Sequence, residues 1–267
     1  MKLIEPSVRI VDYEHTIDGM LKSIAESAYI CYQTDPDTAK LSPGEFVDKL
    51  VSLRHGRPLE FGTVYLKIPW CSSYDETSLV TFFRNNHWSM VRFFGKNTDD
   101  PCWLVTTNYR VIVENKLKEQ MLKYWCYTEY HYKRYLVEFI ASRGADFDFR
   151  THIELSSIME SSRYCLYSSD KFDNELTYID PYWRGNEDYI FILKKYEQHE
   201  QDYLEGAKRG MQAQQLKRIL DPGVKGTLRM CGFKDAWDNF FFRRCDSHAD
   251  PECQILANKL KELMKGK

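Results

Sequence analysis

The sequence predicts an α+β fold made of one domain over residues 1–267. Two observations support this prediction. Some short segments are rich in β-forming residues that alternate with polar ones, which is typical of strands. Longer segments have apolar residues at helical spacing, and the predicted strands and helices follow one another in mixed order. The second half also contains a long, charged helical segment. We find no internal repeat and no low-complexity tract, and the length suits one large domain.

The elements follow from local patterns along the chain. Strands are predicted over residues 1–12, 60–70, 103–115 and 134–144. Helices are predicted over residues 16–32, 42–53, 187–220, 233–243 and 250–265. The second helix has typical start residues in Ser42, Pro43 and Glu45. The segment DPGVKG at 221–226 is a helix breaker, and residues 71–101 are predicted to be an inserted irregular loop.

Composition narrows the class of protein. The formal net charge is −2, so no broad basic field indicates nucleic-acid binding, and no apolar run indicates a membrane span. The first residues lack the pattern of a signal or transit peptide. None of the eight cysteines forms a CxxC pair or has zinc-finger spacing. We therefore expect reduced thiols in a cytoplasmic protein, with no metal site.

The stretch RTHIELSSIMESSRYCLY at 150–167 is the first candidate site. If residues 152–164 form a helix, His152, Ser156, Glu160 and Arg163 fall in one stripe about 80° wide. The stripe could be an ordinary solvated helix face. It could also bind a phosphate, because serine hydroxyls donate hydrogen bonds and a guanidinium binds two oxygens. Spacing alone leaves both interpretations open.

Other polar residues are predicted to have no catalytic role. His87 and His131 are lone histidines in polar surroundings, and we expect both at the surface. Asp235 and Asp238 are interpreted as surface residues and not as an acid–base pair.

Five segments resemble one enzyme family, in the same order along the chain. They are LRHGRPLEFGTVYLKIP (53–69), TTNYRVIVEN (106–115), SRYCLYSSDKFDNELTYIDPYW (162–183), GMQAQQLKRIL (210–220) and WDNFFFRRCDSHADPE (237–252). Together they resemble the flavin-dependent thymidylate synthases (ThyX), and more closely a longer-chain subgroup of Bacteroides-like bacteria and their phages. Five collinear matches are more specific than any single motif.

The resemblance implies a fold, an assembly and a reaction. The fold it implies is α+β, and the assembly it implies is normally a homotetramer with active sites between subunits. The reaction it implies is the methylation of dUMP to dTMP, with the carbon from methylenetetrahydrofolate and reducing equivalents from NADPH through FAD. Because the family uses no cysteine nucleophile, the cysteines here need no catalytic role.

The resemblance also assigns residues, and the nucleotide half of the pattern is kept at every assigned position except Lys217. The dUMP-binding positions fall on Ser161, Arg163, Tyr164, Arg244 and Lys217. The FAD-side positions that are kept fall on His55, His152, Asn239 and His248. Lys217 stands where the family has an arginine, so it keeps the charge and loses the two-pronged geometry.

The flavin half departs from the family pattern. Where the family has Arg-His-Arg, this chain has Thr151, His152 and Ile153, and two later signature positions are Ile158 and Met159. On a helix, Glu160 could not replace the second of these, because one residue turns it by about 100°. Arg57 and Phe61 also stand where the family has serine and histidine, and Phe233 stands where it has asparagine. Losing two arginines removes about 3–6 kcal/mol of diphosphate binding, which Arg57 or Arg150 could restore.

Three functional hypotheses remain open from the sequence. The chain is a working flavin-dependent thymidylate synthase with a rearranged FAD site. Alternatively, it binds a pyrimidine nucleotide but has a changed cofactor or a different base modification. The third hypothesis is a non-catalytic subunit that binds nucleotide or joins a competent homologue in a mixed tetramer.

Overall fold

The computed structural model describes residues 1–70, 74–96, 100–183, 185 and 187–265, and it confirms the α+β class. The strands are β1 (Lys2–Ile4), β2 (Ser7–Val11), β3 (Thr63–Pro69), β4 (Met90–Phe94), β5 (Cys102–Asn108), β6 (Arg134–Ser142), β7 (Ser156–Met159), β8 (Thr177–Ile179) and β9 (Lys225–Phe233). The longer helices are α1 (Ile17–Tyr29), α2 (Pro43–Ser52), α4 (Tyr74–Asn85), α8 (Glu187–Lys208), α10 (Lys234–Arg244) and α11 (Pro251–Met264). The shorter ones are α3 (Gly56–Leu59), α5 (Tyr109–Glu114), α6 (Lys118–Tyr124), α7 (Arg143–Phe149) and α9 (Ala213–Leu216).

A four-stranded antiparallel sheet in the order β2-β6-β9-β7 carries the candidate site. The longest pairing joins β6 to β9, from Arg134 opposite Phe233 to Ser142 opposite Lys225. Alternate residues of these strands, such as Phe139 and Leu228, are fully buried against α10 and α11. The period of two therefore sets which face of the sheet is covered.

The second sheet, in the order β3-β5-β4, packs against the N-terminal helices. Its core includes Ile24 of α1, Val47 of α2 and Val64 of β3, each fully buried. At the start of α2, the Ser42 and Glu45 side chains each accept from the other's backbone N–H. This capping box confirms the helix start predicted from the sequence.

The third sheet pairs β1 with β8 in parallel, next to α8. Tyr178 of β8, Tyr203 of α8 and Leu216 of α9 are buried in one apolar cluster here. Because Pro6 cannot donate to a ladder, it ends the first strand. The single strand predicted over 1–12 is therefore wrong: β1 joins β8, while β2 joins β6 in the larger sheet.

Two other predicted elements are corrected. The segment 71–101 is not an irregular loop over its described part, because it contains α4 and β4. Val80 and Phe83 of α4 are buried in the core of the second sheet. The helical spacing of these apolar residues therefore outweighs the Asn, Asp and Ser content that indicated a loop. The strand predicted over 103–115 ends at Asn108, whose side chain accepts from Val111 N at 3.1 Å and starts α5. Residues 71–73 and 97–99 lie outside the described residues.

The helix considered over 152–164 is wrong, and with it the stripe of His152, Ser156, Glu160 and Arg163. Helix α7 ends at Phe149, and residues 156–159 form β7, the edge strand paired with β9. Pairing with β9 determines the extended conformation of residues 156–159. Their side chains therefore alternate between a buried and a partly exposed face. Ser156, Ile158 and Glu160 share the buried face, so the argument about helical rotation at Glu160 does not apply.

Candidate functional site

The turn directly after β7 carries three of the predicted dUMP-binding residues. Ser161 N donates to Cys31 O at 3.0 Å, which fixes the turn against the 3-10 helix Ile30–Tyr32. The carbonyl oxygen of Ser161 then accepts from Tyr164 N and Cys165 N, both at 3.0 Å. The structure therefore brings Ser161, Arg163 and Tyr164 together in one tight turn at the edge of the sheet.

The Arg163 and Tyr164 side chains of this turn face solvent, whereas Ser161 is half-buried. Arg163 is exposed, and its guanidinium lies 5.5 Å from the ring centre of Tyr164. No ion pair involving Arg163 occurs among the described residues. The ring of Tyr164 stacks on Tyr32 at 4.6 Å and 18°, and both tyrosines are 51% exposed. An exposed cation beside two stacked rings can bind an anion that carries a planar group.

A second cluster joins Arg244 to His152. Arg244 Nε donates to His152 Nε2 at 3.0 Å, and Arg244 Nη2 donates to Thr151 Oγ1 at 2.9 Å and to the carbonyl oxygen of Asp148. Burial lowers the pKa of His152 to about 4, with further lowering by Arg244 and Arg243. The ring is therefore neutral at pH 7, with Nε2 as the acceptor and the proton on Nδ1.

The other predicted flavin-side residues do not converge within one chain. Asn239 is exposed on α10, 3.4 Å from Glu154 Oε2. His248 is fully exposed and its Nδ1 lies 2.8 Å from Asp246 Oδ1. His55 is exposed at the start of α3. The structure thus brings together His152 and Arg244, but it places His248 and His55 at separate surface positions.

The two arginines that could compensate for lost flavin contacts have different surroundings. Arg57 Nη1 donates to Glu60 Oε2 at 2.9 Å, and the same buried carboxylate accepts from Arg110 Nη1 at 2.7 Å. Arg57 is therefore held by an internal carboxylate. Arg150 is exposed, and its Nη1 lies 3.0 Å from the thioether sulfur of Met159.

Lys217 lies at the end of α9, with its side chain exposed. The preceding residue, Leu216, is buried in the same cluster as Cys165 and Tyr167, which follow the Ser161–Tyr164 turn. The lysine therefore extends from an element packed behind the turn, and no hydrogen bond or ion pair between it and the turn occurs among the described residues.

A buried polar network that we did not predict lies directly behind the turn. Glu160 is 1% exposed and accepts from Tyr167 OH at 2.6 Å and from Lys225 Nζ at 2.8 Å. Arg143 Nη2 donates to the same tyrosine oxygen at 2.8 Å. The signal that could have found it is the strand alternation from Ser156 through Ile158 to Glu160, which puts a carboxylate on the buried face.

Asp146 of α7 lies beside this network with neither carboxylate oxygen hydrogen-bonded. Burial raises its pKa to about 8, and Arg143 opposes that rise. The carboxyl is therefore mostly protonated at pH 7. A Cβ at Gly226 of β9 would come within 2.1 Å of Asp146 Oδ2, so a larger residue there would require the Asp146 carboxyl to move.

Predictions about the remaining polar residues are partly corrected. His131 is not at the surface: it is 5% exposed, and its ring nitrogens contact Leu66 O and Thr128. It is used to hold the segment after α6 against β3. His87 is exposed, as expected. Asp235 and Asp238 are exposed, and Asp238 pairs with Lys234 at 2.6 Å, which confirms them as surface residues.

The seven described cysteines are free thiols, and Cys71 lies outside the described residues. Within the described ranges, no helix has both the length and the apolar character needed to cross a membrane. No group of three or more potential metal-ligating side chains occurs among the same residues.

Comparison with known proteins identifies one family. The family model described as "Thymidylate synthase complementing protein" matches residues 95–267, more than half of the chain. A search of curated proteins finds no match.

Solved structures include two similar chains. One is the UMP/dUMP methylase PolB from Streptomyces cacaoi bound with 5-Br UMP, with a TM-score of 0.47 and 12% identity over 100% of this chain and 92% of that one. The other is the same methylase bound with 5-Br dUMP, with a TM-score of 0.47 and 13% identity over 100% and 93%. The family assignment depends on the sequence model, which covers the turn, the Arg244–His152 cluster and Lys217. The chain belongs to the thymidylate synthase complementing protein family, whose members are thymidylate synthase-like nucleotide methyltransferases.

Proposed function

We propose that this protein binds dUMP, or a closely related pyrimidine nucleotide, at the Ser161–Tyr164 turn and acts as a flavin-dependent thymidylate synthase. The observation that supports this most directly is the exposed Arg163 beside the stacked Tyr164 and Tyr32 rings. Arg163 supplies charge for the phosphate, and Ser161 adds a hydroxyl. The rings offer an apolar surface to a planar base.

The family reaction would use FAD, with NADPH and methylenetetrahydrofolate as co-substrates. The described residues do not fit a flavin diphosphate within one chain. Arg57 is paired with buried Glu60, and Arg150 contacts a thioether. His55 and His248 lie at separate surface positions.

An assembly of several copies would supply what one chain lacks. We propose a homotetramer with sites shared between subunits, in which Lys217 and the Ser161–Tyr164 turn come from different copies. Exposed Lys217 and exposed Arg163 are both accessible for such sharing. A mixed tetramer with a competent homologue is the alternative.

A second candidate function is favoured by the Arg57–Glu60 pair. Because Arg57 is already paired with a buried carboxylate, it is less available to replace a lost contact to the flavin diphosphate. In this case the protein would still bind a pyrimidine nucleotide, but its flavin chemistry would be altered or lost. Such a protein would make a different base modification, or it would be a non-catalytic subunit.

The test of nucleotide binding is isothermal titration of dUMP into the purified protein and into Arg163→Ala. Each charge-assisted hydrogen bond contributes about 1.5–3 kcal/mol, so the variant should bind at least about tenfold more weakly. Arg218→Ala, which removes an exposed arginine next to Lys217, is the matched control and should bind normally. Unchanged dUMP affinity in Arg163→Ala would show that the phosphate assignment is wrong.

A visible absorption spectrum separates the two candidate functions. It is recorded before and after adding FAD and dUMP. A flavin band close to stoichiometric with protein, together with dTMP formation from dUMP, methylenetetrahydrofolate and NADPH, supports the thymidylate synthase. A colourless protein that still binds dUMP supports the second candidate.

A further inference from the structure

The loop that carries the candidate phosphate-binding residues is closed at its base by one side-chain hydrogen bond. Glu160 precedes the loop and Tyr167 follows it, with residues 161–166 between them. Tyr167 OH donates to Glu160 Oε1 at 2.6 Å. Both side chains are almost fully buried, at 1% and 5% exposure, so water does not compete for the contact.

The direction of this hydrogen bond is fixed by its neighbours. Arg143 Nη2 lies 2.8 Å from the Tyr167 oxygen, and a guanidinium can only donate. The tyrosine oxygen therefore accepts from Arg143, and its own proton points to Glu160. Burial, and then the nearby Glu160 carboxylate, raise the pKa of Tyr167, so the phenol remains the donor.

Both ends of the loop are also tied to other elements. Glu160 N donates to Thr227 O of β9 at 2.8 Å, and Lys225 Nζ donates to Glu160 Oε2 at 2.8 Å. Tyr167 N donates to Tyr203 OH of α8 at 3.2 Å. The Glu160–Tyr167 contact thus links the large sheet to α8 at the point where the loop leaves and returns.

Closing a loop with a buried ionic network costs desolvation free energy. Apolar residues of similar size would often stabilise a fold equally well, whereas buried polar groups restrict which arrangement is adopted. Here the restricted arrangement is that of Ser161, Arg163 and Tyr164.

We propose that Glu160 and Tyr167 form a positioning pair that holds the 161–166 loop in its nucleotide-binding arrangement. This inference rests on the proposed function, in which that loop binds the phosphate. Neither residue touches the nucleotide; both act through the geometry of the loop between them.

The test uses Tyr167→Phe, which removes the hydroxyl and keeps the ring. Hydrogen–deuterium exchange of the 161–166 amides should become about tenfold faster or more, the effect expected for the loss of one hydrogen bond to a charged group. The Kd for dUMP should rise by a similar factor. Tyr178→Phe is the matched control, since Tyr178 is a fully buried tyrosine of the same apolar cluster. It should leave exchange and affinity unchanged.

Two variants of Glu160 give a conservative and a disruptive comparison. Glu160→Gln keeps one oxygen that can accept from Tyr167 but loses the carboxylate oxygen that accepts from Lys225, so loop exchange and dUMP affinity should change less than in Tyr167→Phe. Glu160→Leu should behave like Tyr167→Phe. Circular dichroism checks folding, and if Glu160→Leu does not fold, Tyr167→Phe alone decides.

The outcomes separate this inference from the proposed function. If Tyr167→Phe lowers thermal stability but leaves loop exchange or dUMP affinity unchanged, the pair is structural only and the inference is overturned. If the unaltered protein binds no dUMP, the proposed function fails. The exchange rates then still decide whether the pair holds the loop.

Discussion

Arg244 Nε donates to His152 Nε2 across 3.0 Å, so a residue predicted to bind the nucleotide contacts one predicted to bind the flavin. The two positions lie in different elements, one at the end of α10 and the other after α7. Their contact means that the pyrimidine-side and cofactor-side positions share one cluster. Because Arg244 lowers the pKa of His152, that pKa reports whether the Arg244 side chain is in contact with the ring.

Replacing Arg244 should raise the pKa of His152. In Arg244→Gln the adjacent positive charge is lost, and the protonated imidazole becomes less unfavourable. NMR titration of the His152 ring should show a pKa above that of the unaltered protein, which is about 4. Arg243→Gln, which removes the more weakly acting neighbour, is the control and should produce a smaller rise. Equal rises in both variants would contradict the direct contact.

The pH dependence of stability should include a loss of stability on the acid side from His152. Its pKa is lowered in the folded state, so between about pH 6.5 and 4 the unfolded chain binds the extra proton. This contribution is complete above about pH 6.5 and is lost as the pH falls towards 4, to a total of about 3 kcal/mol.

Urea unfolding at several pH values checks this expectation. His152→Gln should have a shallower fall of the unfolding free energy between pH 6.5 and 4. His87→Gln, which removes an exposed histidine with no ion pair among the described residues, is the control and should follow the unaltered protein. An unchanged acid slope in His152→Gln would mean that the ring is not held neutral by the fold.

Asp146 should act in the opposite direction. Its raised pKa means that the folded state keeps a proton which the unfolded chain releases above about pH 4, so stability is lost as the pH rises towards 8. Asp146→Asn imitates the protonated carboxyl and removes this dependence. Its stability relative to the unaltered protein should increase by up to about 1.4 kcal/mol per pH unit over that range, again measured by urea unfolding. A pH-independent difference would contradict a neutral carboxyl.

The Tyr32 ring should contribute to binding of the base and not of the phosphate. Base–aromatic stacking contributes about 1–3 kcal/mol, so Tyr32→Leu should weaken dUMP binding by about fivefold or more, whereas Tyr32→Phe should not. Calorimetry with 2-deoxyribose 5-phosphate, which lacks the base, should give the same affinity for all three proteins. An equal loss for both ligands would indicate a general distortion of the turn.

The elements that could be predicted from the sequence are those whose pattern is local, and in the large sheet this holds for β6. The strand over 134–144 corresponds to β6 (Arg134–Ser142), and the helices over 16–32 and 42–53 correspond to α1 and α2. Alternation and capping residues are sufficient there. They were not sufficient for residues 152–164, where pairing with β9 selected a short strand against a helical pattern.

The candidate site could be predicted only for its exposed part. Ser161, Arg163 and Tyr164 were assigned to it because they match a contiguous family motif, and their role in binding dUMP stays a prediction. The Glu160 network was missed because Tyr167, Arg143 and Lys225 come together through tertiary packing, which no local pattern shows. The helical interpretation also gave Glu160 the wrong face.

The interruption between β1 and β2 at Pro6 affects how the fold opens locally. Residues 2–4 pair with β8, and residues 7–11 pair with β6, so a single short segment belongs to two sheets. If the small β1–β8 pair separated, the edge of the four-stranded sheet would lose the tether of its first strand. Amides of β8 should therefore exchange together with those of β2 as one cooperative unit, although β8 lies far along the chain in a two-stranded sheet.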